Sequence, residues 1–202
     1  MRPRPGLPPL LSRLALTAAL IVISAVLPAC DGAAADKRDV TDSSSLFHFK
    51  IPATWQYMIE PSAISVYAAD TLPEAGQPAE ALAIVTHVSS ATTDTPVAEA
   101  LVAYAGYLSQ TRGWTDVEIG VPADARVGGR MASAIDIAGT DGNSRAFRAR
   151  YVWVRTNGRE VLITAIAPPD VWGEYSDDLD TLLDEWYWHR AEDASADETA
   201  TP

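Results

Sequence analysis

The segment RMASAIDIAGTDGNSRAFRARYVWVRTNGREVLITAIA, residues 130–167, carries the clearest structural pattern in the chain. Two turn signals, Asp141-Gly142 and Asn157-Gly158, divide it into stretches rich in β-branched and aromatic residues, which favour strands. Asp-Gly and Asn-Gly suit hairpin turns because these residues adopt positive φ at low cost. The segment therefore predicts an antiparallel meander of three strands, at residues 130–137, 144–155 and 159–167.

Shorter strands are expected outside the meander. Residues 46–51 (LFHFKI) alternate between two faces, which is the period of a half-buried strand. Residues 72–78 are rich in Pro and Gly and predict a loop. The other strands are expected at residues 55–59, 64–67, 80–88 and 117–119.

Two helices are predicted, one before the meander and one after it. The first has Thr95 as its cap, Pro96 as its first helical residue and Gly113 as its stop. The second covers about residues 170–186 and carries an acidic face opposite an apolar one. The chain is therefore predicted to be α+β, an antiparallel β-sheet flanked by helices.

Length and charge limit the class of protein. The chain has 202 residues, 48% of them hydrophobic, which suits one folded domain rather than a disordered chain. The net charge of -12 argues against binding to nucleic acid and against electrostatic binding to anionic lipid. The single cysteine excludes an internal disulfide and a CxxC site.

The N-terminus has the pattern of a bacterial lipoprotein signal. Arg2, Arg4 and Arg13 precede an apolar run at residues 14–27, which is shorter than the roughly 20 residues of a spanning helix. The run ends in Leu-Pro-Ala-Cys, which resembles a lipobox, so Cys30 is predicted to be acylated after cleavage. Acyl chains would then hold the protein on the membrane. The alternative is an uncleaved signal anchor.

Cleavage before Cys30 would leave a more acidic protein outside the cytoplasm. Loss of the signal removes three arginines and leaves 12 basic against 27 acidic residues, a net charge of -15. In a bacterium with two membranes and Lol sorting, Asp31 resembles a signal for retention at the inner membrane. In a bacterium with one membrane, the chain would lie on the outer face of the plasma membrane.

The chain is predicted to have four parts. The lipidated cysteine is followed by small and polar residues, which predict a flexible tether. The C-terminal end is acidic and poor in apolar residues. The parts are a signal peptide at residues 1–29, the lipidated cysteine with a flexible tether at 30–45, a globular domain at 46–190 and a disordered acidic tail at 191–202.

The globular domain resembles the PsbP-like family, which includes the extrinsic photosystem II protein and bacterial lipoproteins. Residues 47–52 (FHFKIP) with Trp55 are similar to the opening pattern F-x-F-x-x-P-x-x-W of that family. Gly128-Gly129 before a strand, the central helix and a final helix that ends in aromatic residues also match in order. The resemblance implies an α/β/α sandwich, typically without enzymatic activity.

No motif points to catalysis, a metal or a cofactor. His48, His87 and His189 are far apart in sequence and do not have metal-ligand spacing. GxSxG and the phosphate-loop patterns are absent from the sequence. The sequence therefore predicts no cofactor, and a hydrolase site assembled in space remains a lesser alternative.

Two clusters are candidates for partner binding. The first is formed by arginines, of which Arg148 and Arg150 share one face of a strand and could meet an anionic partner. The competing interpretation is cross-strand pairing with acids such as Asp136 and Glu160, and it is favoured. The arginines are Arg130, Arg145, Arg148, Arg150 and Arg155.

The second cluster is aromatic and surrounds the end of the last helix. Trp188 departs from the apolar stripe if the helix continues, so its ring could be an exposed interface anchor. In the favoured alternative the helix stops near Asp184 and the last aromatic residues alternate with period two. The cluster comprises Trp172, Tyr175, Trp186, Tyr187 and Trp188.

The sequence as a whole favours a non-catalytic binding or accessory module of an envelope protein complex, anchored through Cys30. A lipoprotein signal attached to a domain without a catalytic motif supports this interpretation. A small-ligand carrier, with a pocket between sheet and helices, is the main alternative.

Overall fold

The structure is a computed structural model that describes residues 36–69, 71–73, 81–90, 94–156 and 158–189. The predicted signal peptide, Cys30, part of the 72–78 loop, Asn157 and the acidic tail lie outside the described residues. The elements are β1 Lys37–Thr41, β2 Phe47–Pro52, β3 Gln56–Glu60, β4 Ala63–Tyr67, β5 Ala83–Ser90, α1 Val97–Thr111, β6 Thr115–Ile119, β7 Ala123–Val127, β8 Arg130–Thr140, β9 Ala146–Thr156, β10 Arg159–Ala167, α2 Pro169–Asp184 and β11 Tyr187–Trp188.

The predicted meander forms the centre of an eight-stranded antiparallel sheet. Its strand order is β3-β4-β5-β10-β9-β8-β6, and β7 also pairs with β8. The turn between β8 and β9 is wider than the Asp-Gly signal predicts. The Asp141 carboxylate accepts the backbone N–H groups of Asn143 and Arg145, and Ser144 has the positive φ instead of Gly142. This side-chain cap stabilises a longer connection.

Alternation along the strands divides the apolar residues between two cores. On β10, Leu162 faces the core under α1, while Val161 and Ile163 face the core under α2. Helix α1 buries Leu101, Ala105 and Leu108, and α2 buries Leu179, Leu182 and Leu183. The helices therefore cover opposite faces of the sheet, which confirms the predicted α+β sandwich.

A second, three-stranded sheet with the order β1-β2-β11 corrects the predicted tether. Residues 37–41, expected to be flexible, form β1 and pair with β2, with Val40 opposite Phe49. Val40 is 1% exposed, so this apolar side chain is buried although the stretch around it is polar. Asp42 closes the following turn by accepting the N–H groups of Ser44 and Phe47. The expected start of the domain at residue 46 is therefore too late.

The helix ends also differ in part from expectation. Helix α1 begins at Val97, and Pro96 takes the cap position without a capping side chain, so Thr95 does not cap it. Helix α2 ends at Asp184, and Trp186 is buried beyond the helix at 2% exposure. The favoured alternative of period-two aromatic residues is confirmed, because Tyr187 and Trp188 form β11 against β2.

None of the described helices is long and apolar enough to cross a membrane.

Candidate functional site

Arg150 joins three elements instead of presenting a free charge. Its guanidinium donates to the Asp136 carboxylate on β8 at 2.8 Å and to Asp180 on α2 at 3.0 Å. The hydrogen bond to Asp136 is the main cause that raises the pKa of Arg150, against the opposing effect of burial. The predicted cross-strand pairing is therefore present, and it also ties α2 to the sheet.

Arg155 and Arg130 are likewise occupied by contacts within the domain. Arg155 pairs with Glu160, its neighbour on β10, and donates to the Thr95 carbonyl at 2.9 Å. The Arg130 guanidinium lies 4.8 Å from the centre of the Trp188 ring, a cation–π contact. The five arginines therefore do not form one free basic stripe.

Arg145 and Arg148 are the exposed members of the arginine cluster. Within the described residues, neither side chain forms an ion pair. Arg148 lines a cleft of about 340 Å³ together with Trp172 at the start of α2 and Glu118 on β6. It is the arginine best placed to contact another molecule.

A larger cleft adjoins this one, and we call it the α2 cleft. It has a volume of about 600 Å³ and lies between the C-terminal half of α2 and strands β7 to β9. Small residues on its sheet side, such as Ala123, Ala125 and Ala134, leave this space unfilled. Both clefts are lined by Gly120 and Asp136, so they adjoin at these two residues.

Acidic groups dominate the α2 cleft. Its lining carries four aspartates and two arginines, so its formal charge is negative. Arg150 is engaged by two of the aspartates, and Arg126 donates to the Gly129 carbonyl at 3.1 Å. Asp124 and Asp184 are exposed and form no ion pair within the described part of the chain. The cleft therefore suits a cationic group.

Trp188 contributes mainly to the fold. Its ring is half-buried, and its indole N–H donates to the Val127 carbonyl at 2.8 Å. Tyr187, which precedes it, is the exposed ring of β11 at 47%. Alternation on β11 turns Trp188 inward and Tyr187 outward, which agrees with the favoured period-two alternative, and a partner-binding role for Trp188 stays a prediction.

The sequence did not reveal that two histidines meet. The Nδ1 atom of His48 lies 3.0 Å from the Nε2 atom of His189, and Tyr187 stacks on the His48 ring with centroids 4.8 Å apart. The register of β11 on β2, with Tyr187 opposite His48, creates this pair. His87 lies on β5, opposite Ala63 and Leu162 on the neighbouring strands.

Hydroxyl groups in the described ranges make structural contacts. The serine hydroxyls of Ser43, Ser109 and Ser176 donate to backbone carbonyls, and that of Ser44 donates to Asp42. In the part of the chain that the structure describes, no hydrogen bond joins a serine to a histidine. The hydrolase alternative therefore gains no support from these contacts.

Comparison with known proteins identifies the fold. The structure is similar to cyanobacterial PsbP (CyanoP) from Synechocystis, with a TM-score of 0.56 and 13% identity over 81% of this chain and 99% of CyanoP. It is also similar to Mog1p, a Ran-binding protein of Saccharomyces cerevisiae, with a TM-score of 0.53 and 11% identity over 76% of this chain and 95% of Mog1p.

Comparisons of sequence add nothing to this likeness, because no protein-family model and no curated protein matches the chain. A structural likeness at sequence identities this low establishes the fold alone. The order of the strands and helices is nevertheless what the resemblance to the PsbP-like family implies. The chain therefore has the PsbP-like α+β fold that CyanoP and Mog1p share.

Proposed function

We propose that this chain is a lipid-anchored protein on the extracytoplasmic face of the plasma membrane, where it binds a partner of an envelope protein complex without catalysis. The observation that carries the binding role is the open, acidic α2 cleft of about 600 Å³. Mog1p, which has the same fold, is a Ran-binding protein, so this fold serves protein binding in at least that case.

The short distance between anchor and domain supports a role at the membrane surface. Cys30 is seven residues before Lys37, where β1 begins. A chain of that length spans at most about 25 Å when fully extended. The domain would therefore stay close to the bilayer, within reach of membrane-bound partners.

The charge of the α2 cleft indicates what the partner presents. A segment with exposed lysine or arginine side chains would complement Asp124 and Asp184 without disturbing the pairs that hold Arg150. Complementary charges speed encounter and select among partners. The proposed partner is therefore a protein with a basic segment.

The anchor is tested by replacing Cys30→Ala and separating membranes from soluble material. We expect the wild-type protein in the membrane fraction, with diacylglycerol on Cys30 detectable by mass spectrometry. Cys30→Ala removes the predicted acylation and cleavage site, so this variant should retain residues 1–29 and carry no lipid. Because both forms then stay in the membrane fraction, the mass of the intact protein distinguishes them. A wild-type protein that lacks the lipid and retains residues 1–29 would support the signal anchor instead.

The cleft is tested by charge reversal at exposed positions. The protein is cross-linked to its partner in the native host and the complex is then purified. Asp124→Lys and Asp184→Lys are expected to reduce recovery of the partner, because both residues line the cleft. Asp178→Lys, on an exposed acid of α2 outside the cleft lining, is the matched control and should leave recovery unchanged. Equal recovery with all variants would contradict the proposed docking site.

The carrier alternative keeps one supporting observation, the volume of the same cleft. A carrier would retain a small cationic molecule. Native mass spectrometry of the purified protein would detect that molecule as an added mass that disappears on denaturation. The charge-reversal variants would not bind the molecule and would lack the added mass. Recovery of a protein partner without such a mass favours the accessory module.

A further inference from the structure

We propose that His48 and His189 form a binding site for a divalent transition-metal ion, with the two imidazoles as its protein ligands. The pair lies on the three-stranded sheet, separate from the α2 cleft, so the inference is independent of the proposed function. Imidazole nitrogens bind Cu²⁺, Ni²⁺ and Zn²⁺ well, whereas Mg²⁺ and Ca²⁺ prefer oxygen ligands.

The spacing of the two nitrogens suits one shared ion. Metal–nitrogen bonds of about 2.0–2.1 Å put two adjacent ligands roughly 3 Å apart, depending on the coordination geometry. The His48 Nδ1 and His189 Nε2 atoms are 3.0 Å apart. Rotation of the two rings would turn both lone pairs to one ion, which would then replace the proton that the two nitrogens share.

The fold holds both rings before any ion binds. The His48 ring lies nearly parallel to the Tyr187 ring, with an angle of 11° between the planes. The backbone N–H of His189 donates to the Leu46 carbonyl at 3.0 Å, which continues the pairing of β11 with β2. Ligands supported in this way lose little conformational entropy on binding.

The surroundings leave space for water to complete the coordination. Both histidines are half-buried, so the site is open to solvent on one side. On the face of β2 that carries His48, the next cross-strand pair joins Lys50 to Asp39, which have opposite charges. Within the described residues, no group of three or more His, Cys, Asp or Glu side chains is arranged to hold a metal. The site would therefore use two protein ligands and water molecules.

The test is metal titration of the purified full-length protein in detergent. Isothermal calorimetry with Cu²⁺, Ni²⁺ and Zn²⁺ is expected to give one ion per chain, with Cu²⁺ bound most tightly. His48→Ala and His189→Ala should each weaken binding at least about tenfold. His87→Ala is the matched control, because His87 is exposed and lies on another sheet.

A second readout separates loss of the site from loss of the fold. Thermal unfolding without metal should be similar for wild type and variants, and Cu²⁺ or Ni²⁺ should raise the midpoint of the wild type and His87→Ala alone. Electron paramagnetic resonance of the Cu²⁺ form should show nitrogen couplings that decrease in each single variant. Unchanged affinity in the His48→Ala/His189→Ala double variant, or equal binding of Mg²⁺, would overturn the proposal.

Discussion

Gly128 and Gly129 lie side by side, and a single Cβ atom would affect them differently. Both have positive φ, 53° and 78°. A Cβ on Gly128 would lie 2.1 Å from the Trp186 carbonyl oxygen, whereas a Cβ on Gly129 would meet nothing within 4 Å. The Gly128 N–H also donates to the Leu183 carbonyl at 2.8 Å. Gly128 is therefore required for the close approach of the chain after α2.

This difference predicts unequal costs for the same substitution. Gly129→Ala should lower the free energy of unfolding by about 1–2 kcal/mol, the cost of an alanine at positive φ. Gly128→Ala adds a clash with backbone and should cost about 2 kcal/mol more. Urea denaturation of the two variants measures both values. Equal costs would show that the segment at Trp186 moves away freely.

Tyr151 predicts a loss of stability in alkali. Its burial among the residues under α1 raises the pKa of the phenol to about 12, compared with 10.0 for an ordinary tyrosine. Between these values the unfolded chain loses the proton first, so the free energy of unfolding falls as the pH rises, by about 2–3 kcal/mol in total. Below pH 10 this group has no effect on the pH dependence.

Tyr151→Phe removes the titrating group and retains the ring. Urea denaturation at a series of pH values from about 9 to 12 should show a smaller decrease for the variant than for the wild type. The same slope in both proteins would mean that other groups cause the alkaline loss.

At the scale of elements, α2 is held mainly by packing. Leu179 is fully buried, while the ion pair of Arg150 with Asp180 is exposed on the Asp180 side, at 61%. Exposed ion pairs contribute about 0.2–1 kcal/mol, and removal of a buried leucine side chain costs about 2–5 kcal/mol. The aspartate is therefore expected to stabilise α2 less than Leu179 does.

Leu179→Ala and Asp180→Asn test this ranking on adjacent residues. The alanine variant should lower the free energy of unfolding by about 2–5 kcal/mol, and the asparagine variant by less than about 1 kcal/mol. Chemical denaturation measures both. Raising the salt concentration should reduce the difference between wild type and Asp180→Asn, since salt screens exposed pairs.

At the scale of the whole molecule, one sheet separates two cores and couples them. Strands β8, β9 and β10 contribute residues to both cores, so neither core survives loss of the sheet. Leu101 lies in the core under α1, and Trp186 lies in the core under α2. A substitution that destabilises one core should therefore also destabilise the other.

Leu101→Ala should lower the unfolding midpoint without splitting the transition. Circular dichroism, which follows the helices and sheet, and tryptophan fluorescence should give the same midpoint in the wild type and in the variant. Two separate midpoints in Leu101→Ala would mean that the α2 side unfolds independently.

Local sequence by itself determined the meander, both helices and the α+β class. These features depend on periodicity and on turn residues that act over a few positions, such as the apolar stripe of α1. The cross-strand pairs Arg150–Asp136 and Arg155–Glu160 also followed, because a meander brings successive strands together. The prediction of acylation at Cys30 likewise depends on sequence alone and stays a prediction.

Tertiary structure alone decided the remaining features. His48 and His189 are 141 residues apart, and no local pattern reports their 3.0 Å contact. Residues 37–41 have the composition of a tether, yet they pair with β2 because that strand offers unpaired backbone groups and a pocket for Val40. The α2 cleft arises because small residues of β7 and β8 face the end of α2. Such contacts depend on which surfaces remain uncovered after the sheet has formed, and that information is spread over the whole chain.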